Sequence, residues 1–202
     1  MAEVARDLLG QHLRRGEVVL RIAEVEAYGG PEDSASHCRF GRTARNAPMW
    51  EAGGVAYVFL CYGVHHMLNI VTGPAGEGAA ILIRACELVA GAEPVQARRG
   101  LTQEGPMLLN GPGKVAQALG IDLAFNGHPL YEAGGLELRE GQAPAAILQG
   151  PRIGVPYAHP EHRSAPLRFA IAGSLWVSQS KGLLTSPESG RRCADQGGPG
   201  AH

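Results

Sequence analysis

The stretch that decides the fold, residues 17–28, reads EVVLRIAEVEAY. Its β-branched and aromatic residues predict a β-strand. Side chains alternate between the faces of a strand, so the even-numbered residues should share one face, and the carboxylates of Glu24 and Glu26 should continue an apolar stripe. An acid in such a place is either paired structurally or held with a shifted pKa for proton transfer. Glu26 is therefore a candidate catalytic residue, whereas Glu24 fits a salt bridge to Arg21 or Arg84.

Three further strands are predicted downstream: VAYVFLCY at 55–62, HHMLNIVT at 65–72 and AAILIRACEL at 79–88. The first two flank Gly63-Val64, a pattern that predicts a β-hairpin with Tyr62 beside the turn. Arg84 interrupts the third strand, and a buried guanidinium requires an anionic or hydrogen-bonding partner. Glu24 and Glu26 are the candidates for that partner.

Helices are expected outside these strands. Residues 2–9 have helical apolar spacing and end at Gly10. A second helix should follow Pro112 in LLNGPGKVAQALGI, residues 108–121. Lys114 at its start either holds a backbone phosphate or belongs to an ordinary helix start. The long loop at 29–54 is predicted to be functional, whereas residues 179–202, rich in Gly, Pro and Ser, are expected to form a disordered tail.

Overall composition limits the class of protein. The 202 residues carry 18 Lys+Arg and 19 Asp+Glu, a net charge of −1 that excludes a wholly basic nucleic-acid coat but allows a local basic face. Four widely spaced cysteines form no CxxC pair, which argues against a zinc ribbon or a disulfide framework. The acidic N-terminal segment and the lack of a long apolar run predict a soluble, cytoplasmic protein without a membrane partner.

Aromatic and basic residues are concentrated between residues 28 and 62, which hold six of the 11 aromatic side chains. Arg39, Arg42 and Arg45 recur at a spacing of three in HCRFGRTARN and could contact successive phosphates. Tyr62 either covers a surface cluster or inserts as a wedge between stacked bases. Three other aromatic residues of the region are expected to pack in the core or the loop: Phe40, Trp50 and Tyr57.

Histidines in the same region raise the possibility of a metal site. His37, His65 and His66 lack the HxH, HxxxH and HExxH spacings of metal ligands. On a strand, His65 and His66 would also point to opposite faces. The sequence therefore predicts no metal.

Several separated segments, taken in order, closely resemble one known family. They are RIAEVEAYGGPEDSASHCRFGRTARN at 21–46, YVFLCYGVHHMLNIVT at 57–72, AAILIRA at 79–85 and LLNGPGKVAQALGI at 108–121, with PLRF and SLWVS near the end. Together they resemble the alkyladenine (3-methyladenine) DNA glycosylases of the type with a tyrosine-bearing β-hairpin. The resemblance covers residues 4–178. It implies a single α+β domain over residues 1–178, with a curved, mostly antiparallel, open-barrel-like sheet, peripheral helices and a protruding hairpin.

The resemblance also implies roles for individual residues. Glu26 would be the general base that activates water, with Arg84 helping to hold that water. Three side chains would enclose a flipped-out base, namely Tyr28, His37 and Phe59, although Phe59 stands where many relatives have Tyr. Asn69 would crowd the exocyclic amine of normal guanine. Tyr62 would fill the gap in the duplex, and the remaining DNA contacts would come from Arg39, Arg42, Arg45 and Lys114.

The activity implied is hydrolytic excision of alkylated or deaminated purines from duplex DNA, with 3-methyladenine, 7-methylguanine, hypoxanthine and ethenoadenine as typical lesions. Strand cleavage by such an enzyme generally needs an amine, and Lys114 and Lys181 are the only lysines. We therefore expect a monofunctional, monomeric enzyme without cofactor or metal. Two alternatives remain open: a non-catalytic binder of distorted DNA, and a metal-dependent hydrolase that uses Glu26, His37 and His65.

Overall fold

The long strand β2 (Val18–Tyr28) organises the sheet in the computed structural model, which describes residues 1–185. It pairs along most of its length with β5 (Ala79–Ala90). On its other side, its first residues pair with β1 (His12–Arg15) and its later residues with β8 (Arg168–Ile171). One strand therefore connects three others, all of them antiparallel to it.

The rest of the sheet extends from these four strands. Its remaining members are β3 (Ala56–Cys61), β4 (His65–Thr72), β6 (Leu136–Arg139), β7 (Ile147–Gly150) and β9 (Leu184–Thr185). The order is β3-β4-β5-β2-β8-β7-β9, and β6 pairs with β1. Every pairing among residues 1–185 is antiparallel, and the sheet is not closed into a barrel.

Four α-helices within the described residues surround the sheet: α1 (Ala2–Leu8), α2 (Ala92–Arg99), α3 (Pro112–Leu119) and α4 (Pro160–Ser164). Helix α3 packs on β4 and β5, and it contributes Val115 and Leu119 to the main core. The predicted loop at 29–54 contains two short 3₁₀ helices, at His37–Phe40 and Ala47–Trp50. The single α+β domain, the open antiparallel sheet and the hairpin predicted from the sequence are confirmed.

Strand β2 changes which of its faces meets the core. The main core takes Val18, Leu20 and Ile22 from its first half, but Val25 and Ala27 from its second half. The register with β5 shifts on both sides of Glu24, which marks a bulge. An extra residue in one strand reverses the alternation of side chains. The expectation that Glu24 and Glu26 continue the apolar stripe is therefore wrong, because the bulge turns both carboxylates to the opposite face.

The C-terminal part of the described chain continues past the predicted boundary at residue 178. Strand β9 pairs with β7, and the buried Arg168 donates to the carbonyl oxygens of Gln179 (2.7 Å) and Lys181 (2.8 Å). The rest of the predicted tail, residues 186–202, lies outside the described residues. Among residues 1–185, no helix is both long enough and apolar enough to cross a membrane.

Candidate active site

A cavity of about 360 Å³ lies on the face of the sheet to which the bulge turns the β2 carboxylates. Strand β5 shows the same division, since Ile81 and Ile83 belong to the main core while Leu82 and Arg84 line the cavity. The other walls come from β2, the β3–β4 hairpin, the loop at 29–54 and the segment 153–157. A cavity of this size can hold a small organic ligand.

Glu26 is fully buried directly behind the residues that line this cavity. Its Oε2 accepts hydrogen bonds from the Tyr28 hydroxyl (2.9 Å) and Arg84 Nη1 (3.2 Å), and its Oε1 accepts one from the backbone N–H of Ile153 (2.6 Å). All three donor residues line the cavity. A carboxylate can accept about four hydrogen bonds, so these donors leave it capacity for one more, such as a water molecule.

The pKa of Glu26 is raised, because burial disfavours its charged form more strongly than Arg84, the Ile153 N–H and the Tyr28 hydroxyl favour it. Burial and the neighbouring Glu26 charge also raise the pKa of Tyr28, so its hydroxyl stays protonated and donates. A buried carboxylate with a raised pKa, held by fixed donors, is suited to accept a proton.

Arg84 connects the two acids of β2. Its Nε lies 3.4 Å from Glu24 Oε1 and its Nη1 lies 3.2 Å from Glu26 Oε2, which confirms the partners predicted for this buried guanidinium. Glu24 also pairs with Arg168 Nη1 at 3.2 Å. Arg21, the other partner considered for Glu24, instead forms a salt bridge with Glu87. Glu24 is thus structural and fixes Arg84 against Glu26.

Aromatic rings form a second wall of the cavity. The centroids of His37 and Phe59 are 4.5 Å apart, and those of Tyr57 and Phe59 are 5.6 Å apart. His37 Nδ1 shares a 2.8 Å hydrogen bond with the Tyr57 hydroxyl. Burial, aided by Arg45 and Arg39, lowers the pKa of His37 to about 4, so this imidazole is neutral at pH 7. Tyr57 packs in the core as expected, but it also supports His37, a role that the sequence reading missed.

Asn69 lies on β4 directly opposite Tyr57 and lines the cavity. Its Nδ2 donates to the carbonyl oxygens of Tyr57 (3.1 Å) and Met67 (3.3 Å). Because two carbonyl groups can accept only from the amide nitrogen, these bonds fix the orientation of the amide. Its Oδ1 is left as an acceptor at the cavity wall.

Tyr62 lies at the tip of the β3–β4 hairpin, is 93% exposed and lines the mouth of the cavity. The sequence reading placed it beside the turn, but it is one of the two central residues of the turn. Val64 N–H closes this turn by donating to the Cys61 carbonyl at 3.1 Å. Tyr62 has φ 51° and Gly63 has φ 70°, the combination that a type I′ turn requires. Tyr62 is therefore held in a backbone conformation that non-glycine residues rarely adopt.

The three arginines of the loop do not occupy equivalent positions. Arg39 contacts the Phe40 and Tyr157 rings, with its Cζ 4.5 Å and 5.0 Å from their centroids. Arg45 lines the cavity and donates to the Leu60 carbonyl of the hairpin at 3.0 Å. Arg42 is exposed. The loop thus presents two positioned cations and one exposed cation beside the cavity.

Lys114 lies in the first turn of α3 and donates to Asn110 Oδ1 at 2.6 Å. Burial and the Arg99 charge lower its pKa. The neighbouring Gly113 approaches His65 so closely that an added Cβ would lie 3.1 Å from the His65 side chain. The start of α3 therefore packs against the hairpin at the residue that follows its turn.

The residues of the metal-dependent alternative are not brought together. Within residues 1–185, the one group of His, Cys and acidic side chains close enough to share an ion comprises His159, Glu161 and His162. It includes neither Glu26, His37 nor His65. Glu26 instead faces Arg84, and His37 faces Tyr57.

One buried pair escaped the sequence reading. Arg152 forms a two-pronged ion pair with Asp33, donates to the Ala27 carbonyl at 2.9 Å, and places its Cζ 4.8 Å from the centroid of the Tyr28 ring. The residue after it, Ile153, is the backbone donor to Glu26. The only signal in the sequence is an arginine between Pro151 and an apolar residue, and spacing alone could not link it to Asp33.

Comparison with known proteins agrees with this arrangement. A family model described as methylpurine-DNA glycosylase (MPG) matches residues 1–175. An Arabidopsis thaliana protein named DNA-3-methyladenine glycosylase is 55% identical over 183 residues, which cover 90% of this chain and 72% of that protein. A Nitrosococcus oceani protein, provisionally named 3-methyladenine DNA glycosylase, is 60% identical over 177 residues, 87% of each chain. The chain belongs to the methylpurine-DNA glycosylase family.

Proposed function

We propose that this protein is a monofunctional DNA glycosylase that hydrolyses the N-glycosidic bond of alkylated or deaminated purines in duplex DNA. The observation that carries the proposal is a fully buried glutamate, Glu26, whose three donors line an aromatic-walled cavity beside an exposed tyrosine. Membership of the family supports the same activity. The lesions are of the 3-methyladenine, 7-methylguanine, hypoxanthine and ethenoadenine type.

The cavity suits a base that has left the duplex. A base stacked inside DNA cannot reach a buried acid, so the nucleotide must rotate out, and a damaged base that pairs weakly does so at lower cost. Tyr28, His37 and Phe59 supply ring surfaces for the flipped base. Asn69 presents a fixed amide at the wall, where the exocyclic amine of normal guanine would be crowded.

Glu26 acts as the general base in this mechanism. It accepts a proton from a water molecule while the water oxygen forms a bond to the anomeric carbon of the deoxyribose. The bond between that carbon and the purine nitrogen breaks, and the purine leaves with the electron pair. A cationic alkylated base leaves as a neutral purine, whereas a neutral base takes up one proton from solvent as it leaves. Arg84 contacts Glu26 and the cavity, so it can orient the same water. The products are the free purine and an abasic site.

Strand cleavage is not part of the proposed reaction, because neither lysine is placed to form a Schiff base with the sugar. Lys114 is bonded to Asn110, and Lys181 lies in the segment held by Arg168. Neither residue lines the cavity. Chemistry by activated water alone fits the arrangement.

Duplex DNA would contact the surface around the mouth of the cavity. Tyr62 would fill the space left by the flipped nucleotide. Phosphates would be held by the neighbouring cations, Arg39, Arg42, Arg45 and Lys114. All of these residues come from one chain, so we propose that the protein acts as a monomer, and as a cytoplasmic protein, in keeping with the free thiols of Cys38, Cys61 and Cys86.

Base release from oligonucleotide duplexes that each carry one lesion tests the proposed function. The unmodified protein should release hypoxanthine or 7-methylguanine and leave alkali-labile sites, whereas Glu26→Gln should bind the same duplexes without release. Undiminished release by Glu26→Gln would contradict the assigned base. Binding without release by the unmodified protein would indicate the non-catalytic alternative, and loss of release in a chelator would indicate the metal-dependent one.

A further inference from the structure

Phe40 is exposed beside the candidate active site, although the sequence predicts that it packs in the core or the loop. Its side chain is 81% exposed. Single exposed apolar residues are common on protein surfaces, so exposure alone carries no functional meaning. The contacts that hold the Phe40 ring in this exposed position are the evidence for a function.

A chain of stacked groups connects Phe40 to the mouth of the cavity. The Cζ of Arg39 lies 4.5 Å from the centroid of the Phe40 ring and 5.0 Å from the centroid of the Tyr157 ring. The middle of this stack and its end at the cavity are anchored, because Arg39 donates to the Ser36 carbonyl (2.8 Å) and the Tyr157 hydroxyl donates to the Ala35 carbonyl (2.9 Å). Tyr157 lines the cavity.

The loop that carries Phe40 is pinned from within by Asn46. The Asn46 amide donates to the carbonyl oxygens of His37 and Gly41, both at 2.9 Å, and it accepts from Thr43 N–H (2.7 Å) and the Trp50 indole (3.2 Å). The two carbonyl groups lie on either side of Phe40 in the chain. The exposed ring is therefore presented by a fixed backbone and not by a loose loop.

The chemistry around Phe40 fits nucleic acid better than protein. Arg42 is exposed two residues further on, and Arg45 is exposed at the cavity mouth. Cations that reach phosphates, combined with an aromatic face that can stack on a base, are the components of sequence-tolerant nucleic-acid binding. A protein partner would require a broader apolar area than one ring surrounded by arginines.

We propose that Phe40, held by Arg39, is a second DNA-stacking residue that contacts a nucleotide next to the flipped one, separately from Tyr62. The inference rests on the proposed function. It assigns to the arginine loop an aromatic contact in addition to its phosphate contacts. Stacking on a nucleobase is worth about 1–3 kcal/mol by alanine substitution, which corresponds to roughly a 5-fold to 150-fold change in Kd.

The test measures the Kd of an uncleaved hypoxanthine duplex in the Glu26→Gln background. Phe40→Ala, introduced into the Glu26→Gln protein, should weaken binding at least fivefold. Phe40→Tyr in the same background should bind as tightly as Glu26→Gln alone, because the ring is retained. Leu175→Ala is the matched control, since Leu175 is equally exposed at 83% but lies outside the arginine-containing loop at 29–54. Melting temperatures of all variants should agree, because neither side chain is buried.

Salt dependence distinguishes stacking from phosphate binding. Arg42→Ala should reduce the slope of log Kd against log salt by about one, whereas Phe40→Ala should weaken binding equally at every salt concentration, because no counterion is released. The fluorescence of 2-aminopurine placed on either side of the lesion should change with Phe40→Ala at one position only.

Equal affinities for Phe40→Ala and Leu175→Ala would overturn the inference. Base release by the unmodified protein is measured separately, so the two hypotheses can fail independently. If the unmodified protein releases the base but Phe40→Ala binds DNA with unchanged affinity, only the proposed Phe40 contact is rejected. Loss of affinity in Phe40→Ala without any release by the unmodified protein retains the contact and rejects the glycosylase.

Discussion

Glu26 is subject to two opposing influences on its pKa. Full burial raises the pKa, and Arg84, Ile153 N–H and the Tyr28 hydroxyl lower it without outweighing the burial. A general base works only in its deprotonated form. Single-turnover base release should therefore fall as the pH drops through the raised pKa, at a higher pH than for a glutamate with the ordinary value of 4.5. A rate profile between pH 4 and pH 9 checks this prediction.

Tyr28→Phe provides the internal control for that profile. It removes one donor that lowers the Glu26 pKa and keeps the ring on the cavity wall. The acidic limb of the profile should then move toward higher pH. A limb that stays in place, or moves toward lower pH, would show that another group governs the rate.

Tyr62 has a cost in stability that its proposed role as a wedge would explain. A non-glycine residue with positive φ is strained by roughly 1–2 kcal/mol, and a side chain that is 93% exposed gains little from packing. Tyr62→Gly should therefore raise the free energy of unfolding by up to about 1 kcal/mol, which is about 2–4 °C in Tm. The same variant should weaken binding to lesion DNA at least tenfold, because the wedge is lost. Calorimetry and a binding titration measure the two effects.

Val64→Gly is the comparison for the strain component. Val64 lies in the same turn but is not among the residues with positive φ, so its replacement relieves no strain and should lower Tm. If Tyr62→Gly lowers Tm to the same extent as Val64→Gly, the strain assigned to Tyr62 is wrong.

At the scale of elements, the sequence predicts a strand correctly where its side chains alternate regularly, and incorrectly where a bulge interrupts the alternation. The ends of β4 and the pairing of Arg84 with the β2 acids follow from alternation and from the need of a buried cation for a partner. The face of β2 on which Glu26 lies does not follow from alternation, because the bulge next to Glu24 is a local insertion that a period of two cannot reveal. The segment 151–157 carries no periodic pattern, so its part in the site was not predictable.

The Asp33–Arg152 pair links three elements of the site. It should affect the reaction by holding the Ile153 N–H in place against Glu26. Arg152→Lys keeps the charge but loses the planar fork on Asp33 and the stack on Tyr28. The Ile153 N–H should then move from Glu26. Because small misplacements in an active site cost up to about 100-fold, we expect base release to fall by about 10-fold to 100-fold, measured well below the Tm.

A pH profile separates positioning from loss of stability in this variant. Loss of the Ile153 donor should move the acidic limb toward higher pH, an effect that mere destabilisation does not produce. Arg21→Lys is the control, because Arg21 forms an ion pair with Glu87 away from the cavity. If Arg152→Lys lowers Tm but keeps the rate and the profile of the unmodified protein, Arg152 is only structural.

At the scale of the whole molecule, the strand order depends on contacts between distant residues. Strand β2 pairs with β5 and with β8, about 140 residues further along the chain. Local patterns predicted the strands individually, and only the family resemblance implied the single open sheet that they form. The near-zero net charge was likewise uninformative about DNA, because the three arginines proposed to hold phosphates are grouped in one loop, where Arg45 lines the cavity.

At this scale we also predict that the folded domain extends beyond residue 178. Arg168 is fully buried, and two of its acceptors are the carbonyl oxygens of Gln179 and Lys181, which lie beyond the predicted boundary. A chain of residues 1–178 would leave those donors unpaired. Hydrogen bonds to a charged group are worth about 1.5–3 kcal/mol each, so losing two of them should cost about 3–6 kcal/mol. Residues 1–178 should therefore melt about 6–24 °C below residues 1–185. Arg168 also contacts Glu24, which fixes Arg84, so base release should fall with the shorter chain. Equal melting temperatures for the two chains would place the boundary at residue 178 after all.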